Sequence, residues 1–118
     1  LILLGLGEDG HTASLFPGSP LLEEQEQLVA ATWVESLQSH RITFTLPVIN
    51  EARAVLFMVS GSAKAEALKD VLEGRGDPQE RPARLVSPRD GTVLWIVDDA
   101  AAGDSGSSRV GSQPADEA

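Results

Sequence analysis

Cysteine is missing from this 118-residue sequence, and basic residues are few. Without cysteine the chain can form neither disulfides nor thiolate metal sites, which fits a reducing compartment, and we expect a cytoplasmic protein. The 9 lysines and arginines are outnumbered by 18 acidic residues, which gives a formal net charge of −9. Such a surface repels nucleic-acid phosphates, so we expect no nucleic-acid partner.

Long apolar runs are missing as well. No stretch is long enough to span a bilayer, so we expect no membrane partner. Hydrophobic residues make up 42% and charged residues 23% of the chain, which is typical of a globular domain with its own core. The sequence therefore predicts one modest folded domain.

The apolar residues that are present form short runs separated by polar segments. Leu1–Leu6, Ala54–Val59 and Thr92–Val97 have the character of buried strands, and Ala63–Leu72 is the clearest helix. In that helix we expect Ala65, Leu68 and Leu72 to face the core and Asp70 to face solvent. Buried strands alternating with helices predict an α/β fold with a mainly parallel sheet flanked by helices.

Weaker patterns predict four further elements. A short helical turn follows Ser19, strands are expected over Leu28–Val34 and Arg41–Leu46, and a short helix is expected over Pro47–Ala52, where proline can occupy the first turn. From Gly103 onward the composition changes to Gly, Ser, Asp and Pro. We therefore predict a folded domain over residues 1–102 and a disordered tail over residues 103–118.

The first residues suggest that the domain is incomplete at its N-terminus. Leu1–Leu4 is apolar on both faces, and a strand of that kind belongs in the middle of a covered sheet. Its partners are expected to lie in a preceding part of the same domain, called the upstream half below.

A glycine-rich loop follows the first strand, and its spacing Gly5-x-Gly7-x-x-Gly10 matches the dinucleotide fingerprint. The fingerprint requires a long helix that starts within the glycines, whereas Phe16-Pro17-Gly18 would interrupt one. Between Thr12 and Leu28 no convincing amphipathic helix follows. The context therefore does not favour a dinucleotide site.

The same loop has the residues of a catalytic turn. Loops at the carboxyl ends of parallel strands are where open α/β sheets bind ligands, and their backbone N–H groups can face an anion or a developing oxyanion. Asp9 and His11 stand two residues apart, an acid and an imidazole that could act together. From residue types alone, an Asp that caps a turn beside a packed His is the more common situation.

The loop also resembles a known signature. The run Gly5-Leu6-Gly7-Glu8-Asp9-Gly10-His11-Thr12-Ala13-Ser14-Leu15-Phe16-Pro17 is similar to that of the glucosamine-6-phosphate isomerase/6-phosphogluconolactonase superfamily, in its lactonase branch. The similarity continues through Arg41–Asn50, Ser60–Lys64, Pro82-Ala83 and Leu94–Ala102. It implies a Rossmann-like fold of the sugar-phosphate isomerase/lactonase type, of which this chain would be the C-terminal half.

The resemblance further implies hydrolysis of 6-phosphogluconolactone to 6-phosphogluconate in the oxidative pentose phosphate pathway, with no metal or organic cofactor. Carried onto this chain, His11 would be the general base that activates water, and Asp9 would orient it. Lys64 would bind the substrate, plausibly its phosphate. Substrate contacts are also implied for Arg41, which could equally be a surface residue, and for the loop at Gly7 and Gly10.

Two alternatives stay open at the level of sequence. A glucosamine-6-phosphate deaminase would share the fold and the loop histidine, but that branch has Asn-Glu-Pro where this chain has Leu15-Phe16-Pro17. A non-catalytic sugar-phosphate-binding regulator could keep the pocket without the chemistry. A covalent mechanism through Ser14 lacks the Gly-x-Ser-x-Gly turn that would expose a nucleophile.

Overall fold

The computed structural model describes residues 1–103 and 109–114. These residues form six strands and two α-helices, in the order β1 (Ile2–Leu4), β2 (Val29–Val34), β3 (Ser39–Phe44), α1 (Leu46–Ile49), β4 (Ala54–Val59), α2 (Ala65–Glu73), β5 (Thr92–Val97) and β6 (Arg109–Pro114). Short 3-10 helices lie at Pro20–Glu23, Glu35–Leu37, Ser62–Lys64, Pro78–Glu80 and Pro82–Leu85.

The main sheet has the strand order β1-β4-β5-β6. β1 and β5 both pair in parallel with β4, so Leu4 lies opposite Phe57 and Phe57 lies opposite Trp95. The predicted α/β class with a mainly parallel sheet is confirmed, and β4 and β5 have the predicted bounds. Because the three parallel strands share one direction, their carboxyl ends meet at one edge, where the glycine-rich loop begins.

The two remaining strands form a separate antiparallel hairpin, β2–β3, in which Val29 pairs with Phe44 and Val34 with Ser39. β3 ends two residues earlier than predicted because Thr45 leaves the strand pattern. Its buried hydroxyl donates a hydrogen bond to the carbonyl of Gln27 at 2.6 Å, and the residue stands at the N-cap of α1. Pro47 lies in the first turn of that helix, as predicted.

One face of the main sheet is the core. Val55, Phe57, Val93 and Trp95 are buried and belong to a single hydrophobic cluster that also includes residues of α2. Phe57 and Trp95 stack with ring centroids 4.0 Å apart and planes only 6° apart.

The inward face of α2 differs from the prediction. Ala67, Leu68 and Val71 are the buried residues, whereas Leu72 is 44% exposed. Asp70, which was predicted to face solvent, is half-buried because Arg81 pairs with it. The helical period was correct, but the sequence did not show that the segment after α2 folds back over this side of the helix.

The predicted disordered tail also differs from the structure. Residues 109–114 form β6, which pairs antiparallel with β5. A strand added at a sheet edge is held through backbone N–H and C=O groups, so its low apolar content does not exclude pairing. Residues 104–108 and 115–118 of that predicted tail lie outside the described residues, and the domain boundary at residue 102 stays a prediction.

The second face of the sheet is not covered by the described residues. Leu3 is 56% exposed and Met58 is 54% exposed, and Leu56, Leu94 and Ile96 on the same face are only half-buried. The outer edge of β1 pairs with no strand among residues 1–103 and 109–114. This face and this edge are where the upstream half is expected to pack.

A hydrogen-bonded aspartate joins the ends of β4 and β5. Asp98 accepts hydrogen bonds from the Ser60 hydroxyl at 2.6 Å, from the Gly61 N–H at 3.1 Å and from the Ala101 N–H at 2.9 Å. The hydroxyl of Ser60, followed by the two N–H groups, lowers the pKa of the Asp98 carboxyl below its ordinary value. Asp98 therefore fixes the turn that leads into the Ser62–Lys64 segment.

We expect residues 1–118 alone to self-associate, because an exposed apolar sheet face and an open strand edge favour association. Joining the upstream half should give a monodisperse protein in size-exclusion chromatography with light scattering. Leu3→Lys with Met58→Lys should reduce self-association of the isolated chain more than Ile42→Lys, which alters an exposed residue of the hairpin. A monodisperse, cooperatively unfolding 118-residue monomer would contradict this expectation.

Asp98→Asn should lower the Tm of the chain joined to its upstream half by a few degrees at neutral pH, whereas the exposed Asp90→Asn should not. Because the folded pKa of Asp98 lies below its unfolded value, its stabilisation is complete above the unfolded pKa and is lost as pH falls through the folded pKa. Thermal unfolding should therefore show the difference from wild type narrowing as the pH falls below about 4, the ordinary pKa of an aspartate. An unchanged Tm at neutral pH would mean that the turn does not depend on this carboxylate.

Candidate active site

The glycine-rich loop, residues 5–14, leaves the carboxyl end of β1 and is closed by its own hydrogen bonds. The Gly7 N–H donates to the His11 carbonyl at 2.8 Å, and the Gly10 N–H donates to the Gly7 carbonyl at 3.0 Å. The buried hydroxyl of Thr12 donates to the Gly5 carbonyl at 2.7 Å. These bonds bend the loop back so that Asp9 and His11 lie on the same side.

Asp9 contacts His11 twice. Its Oδ1 atom lies 2.6 Å from the His11 ring nitrogen Nδ1, and it accepts the His11 backbone N–H at 3.0 Å. Partial burial raises the pKa of the Asp9 carboxyl, but the backbone bond, the ring bond and the charge of His11 together lower it below its ordinary value. Asp9 is therefore ionised at neutral pH.

That ionisation decides the tautomer of His11. An ionised carboxylate only accepts hydrogen bonds, so Nδ1 must carry the proton that joins the two side chains. In the neutral imidazole the other nitrogen, Nε2, then has a free lone pair. Among the described residues no group hydrogen-bonds Nε2, so it is available to take a proton.

Phe16 packs against one face of the His11 ring. The two rings stack with centroids 4.3 Å apart and planes 26° apart, and the His11 side chain is 30% exposed. Stacking and the Asp9 bond fix the plane of the imidazole while leaving part of it open to solvent.

Two of the loop glycines leave room for this arrangement. A side chain at Gly7 would overlap the His11 ring and crowd the Asp9 carboxylate. Gly10 has a φ of +86°, and a Cβ there would come within 3.0 Å of the Arg81 Cα. The structure thus gives both glycines a packing role, and their predicted contact with substrate stays a prediction.

The far end of the loop rests on the β2–β3 hairpin. The Ser14 N–H donates to the buried Thr43 hydroxyl at 3.2 Å, and Leu15 is fully buried. Sequence reasoning missed Thr12 and Thr43 as supports of the loop. Thr43 lies in a strand-like pattern, and nothing in that pattern indicates that its hydroxyl accepts a hydrogen bond from Ser14, 29 residues earlier.

Lys64 lies at the same edge of the sheet. It ends the Ser62–Lys64 segment that follows β4, the strand paired with β1. The side chain is half-buried and makes no hydrogen bond or ion pair with any described residue. The structure therefore brings Lys64 to the sheet edge that carries His11, with its ammonium group available.

Arg41, unlike Lys64, lies on the β2–β3 hairpin and not at the edge of the main sheet. It lies exposed on β3, opposite Thr32, and makes no side-chain hydrogen bond or ion pair within the described part of the chain. Its neighbour His40 is also on β3 and meets Trp33 edge-on with centroids 5.0 Å apart. A role for Arg41 in substrate binding stays a prediction.

A cleft of about 390 Å³ opens beside Asp9, between the loop and the hairpin. Its walls are Asp9, the segment 16–20 and the segment 32–36. On the hairpin side the Trp33 indole donates to Glu35 at 2.7 Å, and this bond with one from Gln38 lowers the pKa of the Glu35 carboxyl. Of the Asp9–His11 pair, Asp9 is the member that lines the cleft.

Neither a metal cluster nor a transmembrane helix is found in the described ranges. Residues 1–103 and 109–114 contain no group of three or more His, Cys, Asp or Glu placed to hold a metal ion. No helix in these ranges has the length and hydropathy needed to cross a bilayer.

Comparison with known proteins gives consistent matches. The family model described as glucosamine-6-phosphate isomerases/6-phosphogluconolactonase matches residues 1–95. A 6-phosphogluconolactonase of Synechocystis is 46% identical over 101 residues, covering 86% of this chain and 41% of the relative. One from Homo sapiens is 47% identical over 103 residues, with 86% and 40% covered. The chain thus spans about two fifths of the length of these relatives.

Solved structures agree with the sequence relatives. The 6-phosphogluconolactonase of Trypanosoma brucei superposes with a TM-score of 0.75 at 30% identity, covering 86% of this chain and 40% of that one. A monomeric glucosamine-6-phosphate deaminase superposes with a TM-score of 0.69 at 23% identity and so shares the fold. By its sequence and by its fold, the chain belongs to the glucosamine-6-phosphate isomerase/6-phosphogluconolactonase family.

Proposed function

We propose that this chain supplies the histidine-bearing half of an enzyme that hydrolyses 6-phosphogluconolactone to 6-phosphogluconate. The observation that carries the proposal is the 2.6 Å contact between Asp9 Oδ1 and His11 Nδ1, because it leaves Nε2 of a partly exposed imidazole free to act as a base. The whole enzyme, meaning this chain joined to its upstream half, is the species to which the activity is assigned.

A lactone is a reactive ester, so the reaction needs a base, groups that stabilise a developing oxyanion and groups that bind the substrate. Nε2 of His11 takes a proton from a water molecule as the water oxygen forms a bond to the lactone carbonyl carbon. The tetrahedral intermediate collapses as the bond from that carbon to the ring oxygen breaks. The imidazolium returns its proton to the ring oxygen, which becomes a hydroxyl, and the product is the open-chain acid.

Asp9 contributes to the protonated stage of this cycle. The imidazolium that forms carries a positive charge, and the ionised Asp9 carboxylate beside Nδ1 stabilises it. The same hydrogen bond keeps Nδ1 as the donor, so the ring presents Nε2 to the water in each turnover.

Lys64 is proposed to bind the phosphate of the substrate. The Lys64 ammonium group has no partner among residues 1–103 and 109–114, and at the edge that carries the base it can form a charge-assisted hydrogen bond to a phosphate oxygen. The net charge of −9 makes such a local cation necessary, since the overall field of this chain repels an anionic substrate.

The lactonase reaction is favoured over the deaminase reaction by two observations. The relatives at 46–47% identity are lactonases, whereas the deaminase at 23% identity supports the fold alone. Phe16 stacks on His11, and the family resemblance implies a glutamate at this position in the deaminase branch. Operation in the oxidative pentose phosphate pathway and a cytoplasmic location stay predictions from the family resemblance.

His11→Ala should lower kcat of the whole enzyme for 6-phosphogluconolactone by about 10²–10⁴, the usual contribution of a general base. The Tm should change little, because His11 lies on a partly exposed loop. His40→Ala removes the other histidine, which is on β3, and should leave kcat unchanged. Initial rates corrected for spontaneous hydrolysis measure the effect, and near-wild-type kcat in His11→Ala would remove this histidine from the mechanism.

Lys64→Ala should impair 6-phosphogluconolactone far more than unphosphorylated gluconolactone. A charge-assisted hydrogen bond contributes about 1.5–3 kcal/mol. The substitution should therefore lower kcat/KM for the phosphorylated lactone by at least about tenfold more than kcat/KM for the unphosphorylated one. Lys69→Ala, on the exposed side of α2, is the matched control and should affect neither substrate. Equal losses on both substrates would assign Lys64 a role other than phosphate binding.

A further inference from the structure

Arg81 joins two elements that are distant in sequence. It lies between the 3-10 helices Pro78–Glu80 and Pro82–Leu85, and its Nε and Nη2 atoms each lie 3.0 Å from Oδ2 of Asp70 on α2. The side chains of Arg81 and Asp70 are only 25% and 22% exposed, so this ion pair is screened less by solvent than one on the open surface.

The other edge of the guanidinium faces the glycine-rich loop. Nη1 of Arg81 donates to the backbone carbonyl of Asp9 at 3.3 Å and to that of Glu80 at the same distance. The Arg81 side chain also packs against Gly10, where a Cβ would collide with it. One side chain thus spans from α2 to the backbone of the residue that binds His11.

Backbone hydrogen bonds reinforce the same contact. The Ala83 N–H donates to the Gly10 carbonyl at 2.9 Å, and the Gly18 N–H donates to the Gln79 carbonyl at 3.0 Å. The carbonyls of Asp9 and Gly10, the two residues before His11 that carry the turn, are therefore held by the segment that contains Arg81. With those two carbonyls fixed, the backbone from which the Asp9 and His11 side chains project has little freedom.

We propose that Arg81, anchored by Asp70, is a positioning residue that holds the Asp9–His11 pair in its working geometry. The proposal rests on the proposed function, since it assumes that His11 is the base. It assigns a role to two residues outside the resemblance to the family signature. It also accounts for the half-burial of Asp70.

An arginine suits this position for a geometric reason. Its planar guanidinium has donors on two edges in a fixed arrangement, so one edge can engage a carboxylate while the other engages a carbonyl. A lysine ammonium could not reach both acceptors at once with the same rigidity. Asp70 lies on α2, which begins directly after Lys64. The ion pair therefore connects the glycine-rich loop to the helix that follows the proposed phosphate contact.

The test is steady-state kinetics of the whole enzyme with single and double variants. Arg81→Ala should lower kcat by about 10-fold to 100-fold, the scale expected for a misplaced catalytic group, while KM changes little. Arg81→Lys should show a loss of similar size. Asp70→Asn should show a smaller loss, because its amide oxygen can still accept one hydrogen bond. Circular dichroism and thermal unfolding establish which variants are folded. If Arg81→Ala does not fold, the kinetics of Asp70→Asn test the proposal instead.

A double-variant cycle separates positioning from general stabilisation. If Arg81 acts through His11, Arg81→Ala should have almost no further effect on kcat in a His11→Ala background. Arg84 is the matched control, because three residues later it donates to the carbonyls of Arg75 and Gly76, away from the loop. Arg84→Ala should leave kcat unchanged.

Two results would overturn the proposal. One is a folded Arg81→Ala enzyme with wild-type kcat. The other is a loss that is equally large with and without His11, which would indicate a purely structural effect. Failure of the proposed function is distinguishable from both, because then His11→Ala itself would keep wild-type kcat.

Discussion

The hydrogen bond between Asp9 and His11 is the contact on which the rest of the site depends. The backbone of the loop turns between these two residues, and their side chains meet at 2.6 Å. Gly10, with its positive φ, makes that turn, and Gly7 leaves the space into which the imidazole fits. Phe16 then closes one side of the ring. The spacing of the glycines follows from this geometry, and a bound dinucleotide is not needed to explain it.

A loop of this kind needs support from outside itself, and the described residues supply it from two directions. Thr43 on the hairpin accepts a hydrogen bond from Ser14, and the segment around Arg81 holds the carbonyls of Asp9 and Gly10. The main sheet contributes the edge from which both the loop and Lys64 emerge. On its second face Leu3 and Met58 are exposed, and this is the surface on which the upstream half is predicted to pack.

The sequence predicted elements whose cause is local. β4 and β5 were predicted residue by residue because each is an apolar run that ends at serine, glycine or aspartate. For Asp9 and His11 the residue types alone favoured a turn-capping aspartate beside a packed histidine, and the family resemblance indicated a catalytic pair. The inward face of α2 was misjudged because Asp70 is covered by a residue 11 positions away, and β6 was missed because backbone pairing leaves no apolar pattern. Arg81 lies 72 residues from Asp9, and a lone arginine in a proline-containing loop gives no sign of such a contact.

The central claim is that Asp9 holds the neutral His11 ring with its proton on Nδ1 and its lone pair on Nε2. Nitrogen-15 NMR of the whole enzyme labelled at histidine tests it most directly, because protonated and unprotonated ring nitrogens have well-separated chemical shifts. The signals that are lost in His11→Ala and kept in His40→Ala assign this histidine within the whole enzyme. The account predicts a protonated Nδ1 and an unprotonated Nε2 above the pH at which the ring loses its charge. A neutral ring with the proton on Nε2 would contradict it, because that nitrogen could then take no proton from water.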